Sequence, residues 1–218
     1  MKRKNGDDDV FGFGQLIGIL KKNPKKIVFT EGEDPRILEA SSRLLASYFL
    51  HPILIGDEKR IADAAEESGF NIRGAEIIDP EKFDKIDEMV ELYCELRKKK
   101  GVTPDQAREI LKQANYFGTM LVKMGFADAL LGGATYSTAD TVRPALQLIK
   151  TKPGNNLVSS CFILVRPSAT GDNEVLAMGD CAININPTED DLVEIAGETA
   201  KCCLLYTSDA ADDTPCVD

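Results

Sequence analysis

The stretch Leu130-Leu131-Gly132-Gly133-Ala134-Thr135-Tyr136-Ser137-Thr138-Ala139-Asp140-Thr141-Val142-Arg143-Pro144 decides the fold. A largely apolar run, 127–131, stops at two glycines. A hydroxyl-rich turn follows, and then a helical pattern over 141–149. Physically this is a buried strand delivering its end to a glycine turn, with a helix starting just beyond. Such a turn gathers backbone N–H groups, hydroxyls and the positive end of a helix dipole at one point, which suits an anionic oxygen. Arg143 adds a full charge near the helix start. An ordinary strand-to-helix connection accounts for the same residues, and the two readings stay open here.

Outward from that stretch the same alternation repeats. Residues 11–22 carry Phe13, Leu16, Ile17 and Leu20 at helical spacing until Asn23-Pro24 breaks the pattern. A short strand over 26–29 runs into Thr30-Glu31-Gly32-Glu33-Asp34-Pro35-Arg36. Asp34 is a good N-cap and Pro35 a good first helical residue, and the following helix has Ile37, Leu38, Leu44, Leu45 and Tyr48 on its apolar side. A strand over 52–55, a helix over 58–68 and a strand over 75–78 come next. Residues 84–100 read as one helix whose cationic end, Arg97-Lys98-Lys99-Lys100, stops at Gly101 in the C′ position. Thr103 caps a helix to about Gln113, and 117–124 is helical. Beyond a turn-rich connection at 151–156, a strand covers 159–165, and one or two more lie within 174–185. Thr188 and Asp191 have capping-box spacing before a helix over 189–202.

Strands alternating with helices predict an α/β fold, three layers α/β/α around a mostly parallel sheet. The expected divisions are a disordered N-terminus at 1–10, a first α/β domain at 11–150, and the start of a second at 151–202. Residues 203–218 contain four aspartates and no basic residue. They resemble translated adapter sequence found at broken ends of assembled genes, and are expected to be a non-native tail.

Composition excludes several functions. A net charge of −10 disfavours nucleic acid and anionic membranes as partners. No apolar run reaches the ~20 residues of a membrane helix, and residues 1–10 lack the apolar core of a secretory signal, so a cytoplasmic location is expected. The six cysteines form no CxxC pair, so a zinc site or disulfide framework is not expected. His51, the only histidine, reads as a turn residue, which argues against Ser-His-Asp or Cys-His catalysis. The acids Glu31, Glu33 and Asp34 lack calcium-loop spacing and read as a solvated helix entry. Three arginines remain as candidates: Arg36, which an ion pair with those acids would explain equally well; Arg97, whose cationic run also suits a helix C-terminus; and Arg143.

The runs Glu31-Gly32-Glu33-Asp34-Pro35-Arg36, Tyr93-Cys94-Glu95-Leu96-Arg97-Lys98-Lys99-Lys100-Gly101, 132–144, and Met178-Gly179-Asp180-Cys181-Ala182 with Asn186-Pro187-Thr188 together resemble phosphate acetyltransferases, in the family's order and over about 11–201. The resemblance implies reversible acetyl transfer between acetyl phosphate and coenzyme A, through a ternary complex with no covalent acetyl-enzyme, no metal and no prosthetic group. It implies that Arg97 and Arg143 are catalytic arginines. Ser137, Thr138, Gly132, Gly133 and Arg36 would bind substrate. Phosphate butyryltransferases share the fold, but the runs at 95–101 and 137–145 look more like the acetyl enzyme. Thr30 stands where the family more usually has proline.

The family chain continues well past Lys201. Its further part carries a Ser-Arg-Gly segment and the aspartate held to deprotonate coenzyme A, so no base is assigned here. The expectation is an N-terminal fragment of weak or no activity, with apolar faces and sheet edges left uncovered, and a homodimer for the full-length protein. A non-catalytic phosphate- or nucleotide-sensing domain is the alternative from another class.

Overall fold

The computed structural model describes residues 14–167 and 173–207. The expected disordered stretch 1–10 and the last part of the acidic tail, 208–218, lie outside the described residues. The chain divides into two compact units, Leu20–Lys150 and the remainder. The first element, α1 (Gly14–Lys22), spans the division.

Within Leu20–Lys150, four parallel strands form one sheet: β1 (Lys25–Phe29), β2 (Leu50–Ile55), β3 (Glu76–Ile78) and β4 (Ala129–Leu131). Their order is β3-β2-β1-β4, with Ile27 opposite both Pro52 and Ala129. The chain therefore builds outward from β1 on one side through β2 and β3, then returns to pair β4 on the other. Ligands of open α/β sheets bind at the carboxyl ends of strands where the order reverses. Here that place is between the loops leaving β1 and β4.

Successive strand residues face opposite sides, and both sides are apolar. Val28, Ile53 and Ile55 pack with Met89, Tyr93, Leu111, Phe117 and Leu148. These come from α4 (Ile86–Leu96), α5 (Pro104–Leu111), α6 (Ala114–Lys123) and α7 (Thr138–Leu148). Phe29 and Leu54 pack instead with Ile37, Leu38, Ile61 and Ala65 of α2 (Pro35–Ser47) and α3 (Glu58–Ser68). This unit is thus a three-layer α/β/α sandwich, as the alternation predicted. Asp34 caps α2 by accepting the N–H of Arg36, with Pro35 in the first turn. Thr103 and Gln106 close a reciprocal capping box on α5.

Several expectations are corrected. The helix read over 84–100 starts at Ile86 and ends at Leu96; Lys98–Lys100 form a tighter 3-10 turn and Gly101 takes a left-handed φ of 65°, a common way for a helix end to finish. α6 begins at Ala114 rather than 117, and α7 at Thr138 rather than 141. Tyr48, expected on the inward stripe of α2, is its left-handed C-cap residue and is 81% exposed. His51 lies within β2, exposed, not in a turn.

The other unit has β5 (Cys161–Pro167), β6 (Asn173–Gly179) and α8 (Glu189–Thr207). Here the sheet is antiparallel, with Phe162 opposite Met178 and Leu164 opposite Leu176. Five residues separate the strands, too few for the crossover that parallel pairing requires. Only one strand falls within 174–185. α8 packs on β6 and β5 through residues that include the buried Ile195. The ladder face made of Phe162, Leu164, Leu176 and Met178 is exposed, matching the expected uncovered apolar surface. Thr188 and Asp191 cap α8 reciprocally: the Thr188 N–H donates to Asp191 Oδ2 at 2.9 Å and the Asp191 N–H to Thr188 Oγ1 at 3.3 Å. The stretch read as a tail from Cys203 is helical as far as Thr207.

Candidate functional site

The loops that leave β1 and β4 are bound together by Glu31. Its Oε1 accepts the N–H groups of Gly133 at 3.0 Å and Thr135 at 2.9 Å, and its Oε2 accepts the Thr30 hydroxyl at 2.8 Å. The sequence suggested an anion-binding turn over 132–143; within it the N–H groups of Gly133 and Thr135 are taken up by an internal carboxylate. Burial opposes ionisation of Glu31. Hydrogen bonds from the Thr135 backbone, the Thr30 hydroxyl and the backbone of Gly133 and Tyr136 outweigh it, and the carboxyl is held below its ordinary range.

Both glycines of the turn are required. A Cβ on Gly132 would lie 2.7 Å from Thr30 Oγ1, and Gly133 has a φ of 109°, which side chains rarely adopt. Thr30 is therefore both the hydroxyl donor to Glu31 and the wall against Gly132.

Arg36 forms a fork on Asp34, with Nε to Oδ1 at 2.9 Å and Nη2 to Oδ2 at 2.7 Å. Its Nη2 also donates to the carbonyl of Ala134 at 2.7 Å. That fork is the leading cause holding the Asp34 carboxyl below its usual range. The ion pair and the loop contact thus coexist: Arg36 ties the start of α2 to the glycine turn. Glu33 pairs with Arg60 instead, at 2.7 Å, so the three acids of this run serve three different partners.

Ser137 is the N-cap of α7, accepting the Asp140 N–H at 3.2 Å while its hydroxyl donates to Asp140 Oδ2 at 2.7 Å. Thr138 is the first residue of the helix, exposed beside that cap. Arg143 stands one turn further on, 58% exposed at its side chain, with only a 3.8 Å approach to Asp140. It is an uncommitted charge close to a helix N-terminus, where anions are favoured.

Arg97 is placed differently. It ends α4, and its Nε is buried with no hydrogen-bond partner among the described residues. An unpaired buried guanidinium N–H is costly. Tyr93 meets Tyr116 edge-on at 6.4 Å, and the Tyr116 hydroxyl reaches Gln147 Oε1 at 3.4 Å. Burial and then Tyr116 push the Tyr93 phenol up, while Arg97 works against that shift. The structure thus brings Arg36, Gly132, Gly133, Ser137, Thr138 and Arg143 to one end of the sheet. Arg97 stands apart at the end of α4, where its backbone N–H donates to the Tyr93 carbonyl at 3.0 Å.

A cavity of about 660 Å³ opens at the carboxyl ends of β1, β2 and β3, lined by residues that include Glu31, Asp57, Arg60, Lys82 and Tyr136. Its cations are already paired, Arg60 with Glu33 and Lys82 with Asp57 and Asp79. Arg97, Ser137, Thr138 and Arg143 do not line it. Among the described residues, no group of three or more His, Cys, Asp or Glu side chains is placed to hold a metal ion, and no helix is long and apolar enough to cross a membrane.

Two residues escaped the sequence reading. Glu31 looked like one of three solvated acids because its backbone donors, Gly133 and Thr135, lie about a hundred positions away. Asn115, whose Nδ2 donates to the carbonyl of Asp140 at 2.8 Å, carried no motif. Pro144 inside a helix was the available signal, since it leaves the carbonyl four residues earlier without its usual donor.

The fold is shared with a known group of proteins. The family described as phosphate acetyl/butaryl transferase matches residues 13–208, and the chain belongs to that family. Its relatives include the phosphate acetyltransferase of Bacillus subtilis (strain 168), 48% identical over 181 residues, or 83% of this chain and 54% of that one. The phosphate acetyltransferase of Thermoanaerobacterium thermosaccharolyticum is 45% identical over 187 residues, covering 85% and 56%. Among solved structures, the EutD phosphotransacetylase from Staphylococcus aureus superposes with a TM-score of 0.80 at 42% identity, covering 90% of this chain and 59% of that one. A phosphotransacetylase from Streptococcus pyogenes gives 0.81 at 42% identity, covering 90% and 60%. The chain spans about half the length of the curated relatives it matches.

Proposed function

We propose that this chain carries the acyl-phosphate side of a phosphate acetyltransferase, which moves an acetyl group reversibly between acetyl phosphate and coenzyme A. The observation that carries this reading is Arg143, a guanidinium left uncommitted one turn from the Ser137-capped start of α7. A guanidinium can hold a phosphoryl group through two parallel hydrogen bonds and offset charge developing at the neighbouring carbonyl. Thr138 and the cap of α7 orient the phosphate, and Arg97, with its unpaired Nε, supplies a second cationic contact. In the transfer, the sulfur of coenzyme A attacks the acetyl carbon, the bond from carbon to the phosphate oxygen breaks, and phosphate leaves with the electron pair. The attacking thiol must first lose its proton to a base. We assign that base to none of the residues in this chain; the family resemblance puts it in the part of the longer relatives that the chain does not span.

Gly132, Gly133 and Arg36 act in this scheme by shaping the loop rather than by presenting free donors. Coenzyme A and acetyl phosphate are the proposed ligands, without metal or prosthetic group. A cytoplasmic location and a homodimer of the full-length protein complete the proposal. The test is titration of the 218-residue chain with acetyl phosphate, followed by amide and arginine side-chain resonances. Shifts centred on Thr138 and Arg143 are expected. Shifts centred on Arg60 and Lys82, or none, overturn the site. Acetyl-coenzyme A formation by this chain alone is expected to be weak or absent, and turnover like that of the longer relatives would refute the assignment of the base outside it. The family description also covers butyryl transfer, so butyryl phosphate is the competing ligand in the same titration.

A further inference from the structure

α7 contains a proline at its seventh residue, Pro144, and it is buried. Proline has no N–H, so the carbonyl of Asp140 loses the donor that an ordinary helix supplies four residues on. Proline also disfavours helical backbone in the residue before it, and that residue is Arg143. The missing donor comes from another helix. Asn115, in the first turn of α6 and only 8% exposed, donates from Nδ2 to the Asp140 carbonyl at 2.8 Å. Its Oδ1 accepts the N–H of Tyr116 at 3.0 Å, so partners at both ends fix the orientation of the amide. Its own carbonyl accepts the Thr119 hydroxyl at 2.7 Å, anchoring it to α6.

We propose that Asn115 is a positioning residue for the acyl-phosphate site. By filling the vacancy Pro144 creates, it ties the first turn of α7, with Ser137, Thr138 and Arg143, to the N-terminus of α6. This rests on the reading of Arg143 given above. A residue with an N–H at 144 would satisfy the carbonyl locally. The proline–asparagine pair moves that bond from within one helix to between two, and so fixes where the arginine-bearing turn stands.

The test compares Pro144→Ala with the double variant Asn115→Ala/Pro144→Ala. In both, the alanine introduced at position 144 brings an N–H that can satisfy the Asp140 carbonyl, so folding does not depend on Asn115. The two are expected to melt together and to bind acetyl phosphate equally, each roughly tenfold more weakly than the wild-type chain, because the tie between helices is gone from both. Wild-type affinity in both variants overturns the positioning role and leaves Asn115 as a partner for a carbonyl only. If the wild-type chain binds no acetyl phosphate, the reading of Arg143 fails and this proposal fails with it, an outcome distinct from the first.

Discussion

Glu31 and Gly133 stand 102 residues apart in sequence and share a 3.0 Å hydrogen bond, from the Gly133 N–H to Glu31 Oε1, that closes the glycine turn around an internal carboxylate. Removing the carboxylate leaves the N–H groups of Gly133 and Thr135 without their acceptor. Glu31→Ala is expected to cost about 2–3 kcal/mol in urea denaturation. Glu31→Gln keeps an oxygen for both donors and is expected to cost about 1 kcal/mol. Equal losses for the two variants would show that the oxygen is not what matters.

The same carboxylate sets an acid limb. Its folded pKa lies below the ordinary value of 4.5, so below that value the unfolded chain binds more protons than the folded one, and stability rises with pH. The contribution is full above pH 4.5 and fades as pH falls through the folded value. Glu31→Gln is therefore expected to flatten the dependence of melting temperature on pH below about 4.5, leaving the neutral range unchanged. An unaltered acid limb would contradict this.

Gly132 and Thr30 are coupled by contact, since a Cβ on Gly132 would lie 2.7 Å from Thr30 Oγ1. Gly132→Ala is expected to destabilise by about 1–3 kcal/mol, displacing the Thr30 hydroxyl from Glu31. In a Thr30→Ala background the same change is expected to cost clearly less, a non-additivity readable from a double-mutant cycle. Full additivity would mean that the clash is relieved elsewhere.

Asp180 organises the turn after β6. It accepts the backbone N–H groups of Ser160 at 3.1 Å and Asn184 at 2.7 Å, and the Asn184 side-chain amide at 2.6 Å. Burial opposes its ionisation, but the donors of Ser160 and Asn184 prevail and push its pKa strongly down. Asp180→Asn puts an NH₂ group among donors and is expected to cost about 2 kcal/mol or more, with faster amide exchange at Ser160 and over 181–184. Unchanged exchange there would remove Asp180 from its organising role.

Arg143 should separate binding from stability. Its ion pair with Asp140 is long and exposed, so Arg143→Ala is expected to change stability by less than about 0.5 kcal/mol. Affinity for acetyl phosphate is expected to fall about tenfold or more. Calorimetric melting and ligand titration on one preparation check both halves, and unchanged affinity defeats the assignment.

What the sequence disclosed follows the range of the interactions involved. The alternation of Val28 with Phe29 and of Ile53 with Leu54 announced a sheet covered on both faces, and caps such as Asp34 with Pro35 and Thr188 with Asp191 are complete within four residues. The start of α7 was misplaced because its first turn, Thr138-Ala139-Asp140, is polar or small and adds nothing to an apolar stripe; the Ser137–Asp140 cap marks it instead. The 3-10 turn at Lys98–Lys100 has the composition of an ordinary helix end, so its geometry was not legible. The identity of the anion in the glycine turn required knowing that β4 pairs with β1, which no local pattern encodes.

That pairing also governs when the site comes into being. β1 leaves the ribosome early, but its partner on the far side is about a hundred residues behind it. β2, β3 and α2 to α6 all emerge before Leu131 can reach Phe29. Until then Glu31 remains a hydrated surface acid, and the glycine turn that it will close has not been synthesised. The nascent chain thus closes its glycine turn only after the opposite side of the sheet has had time to form.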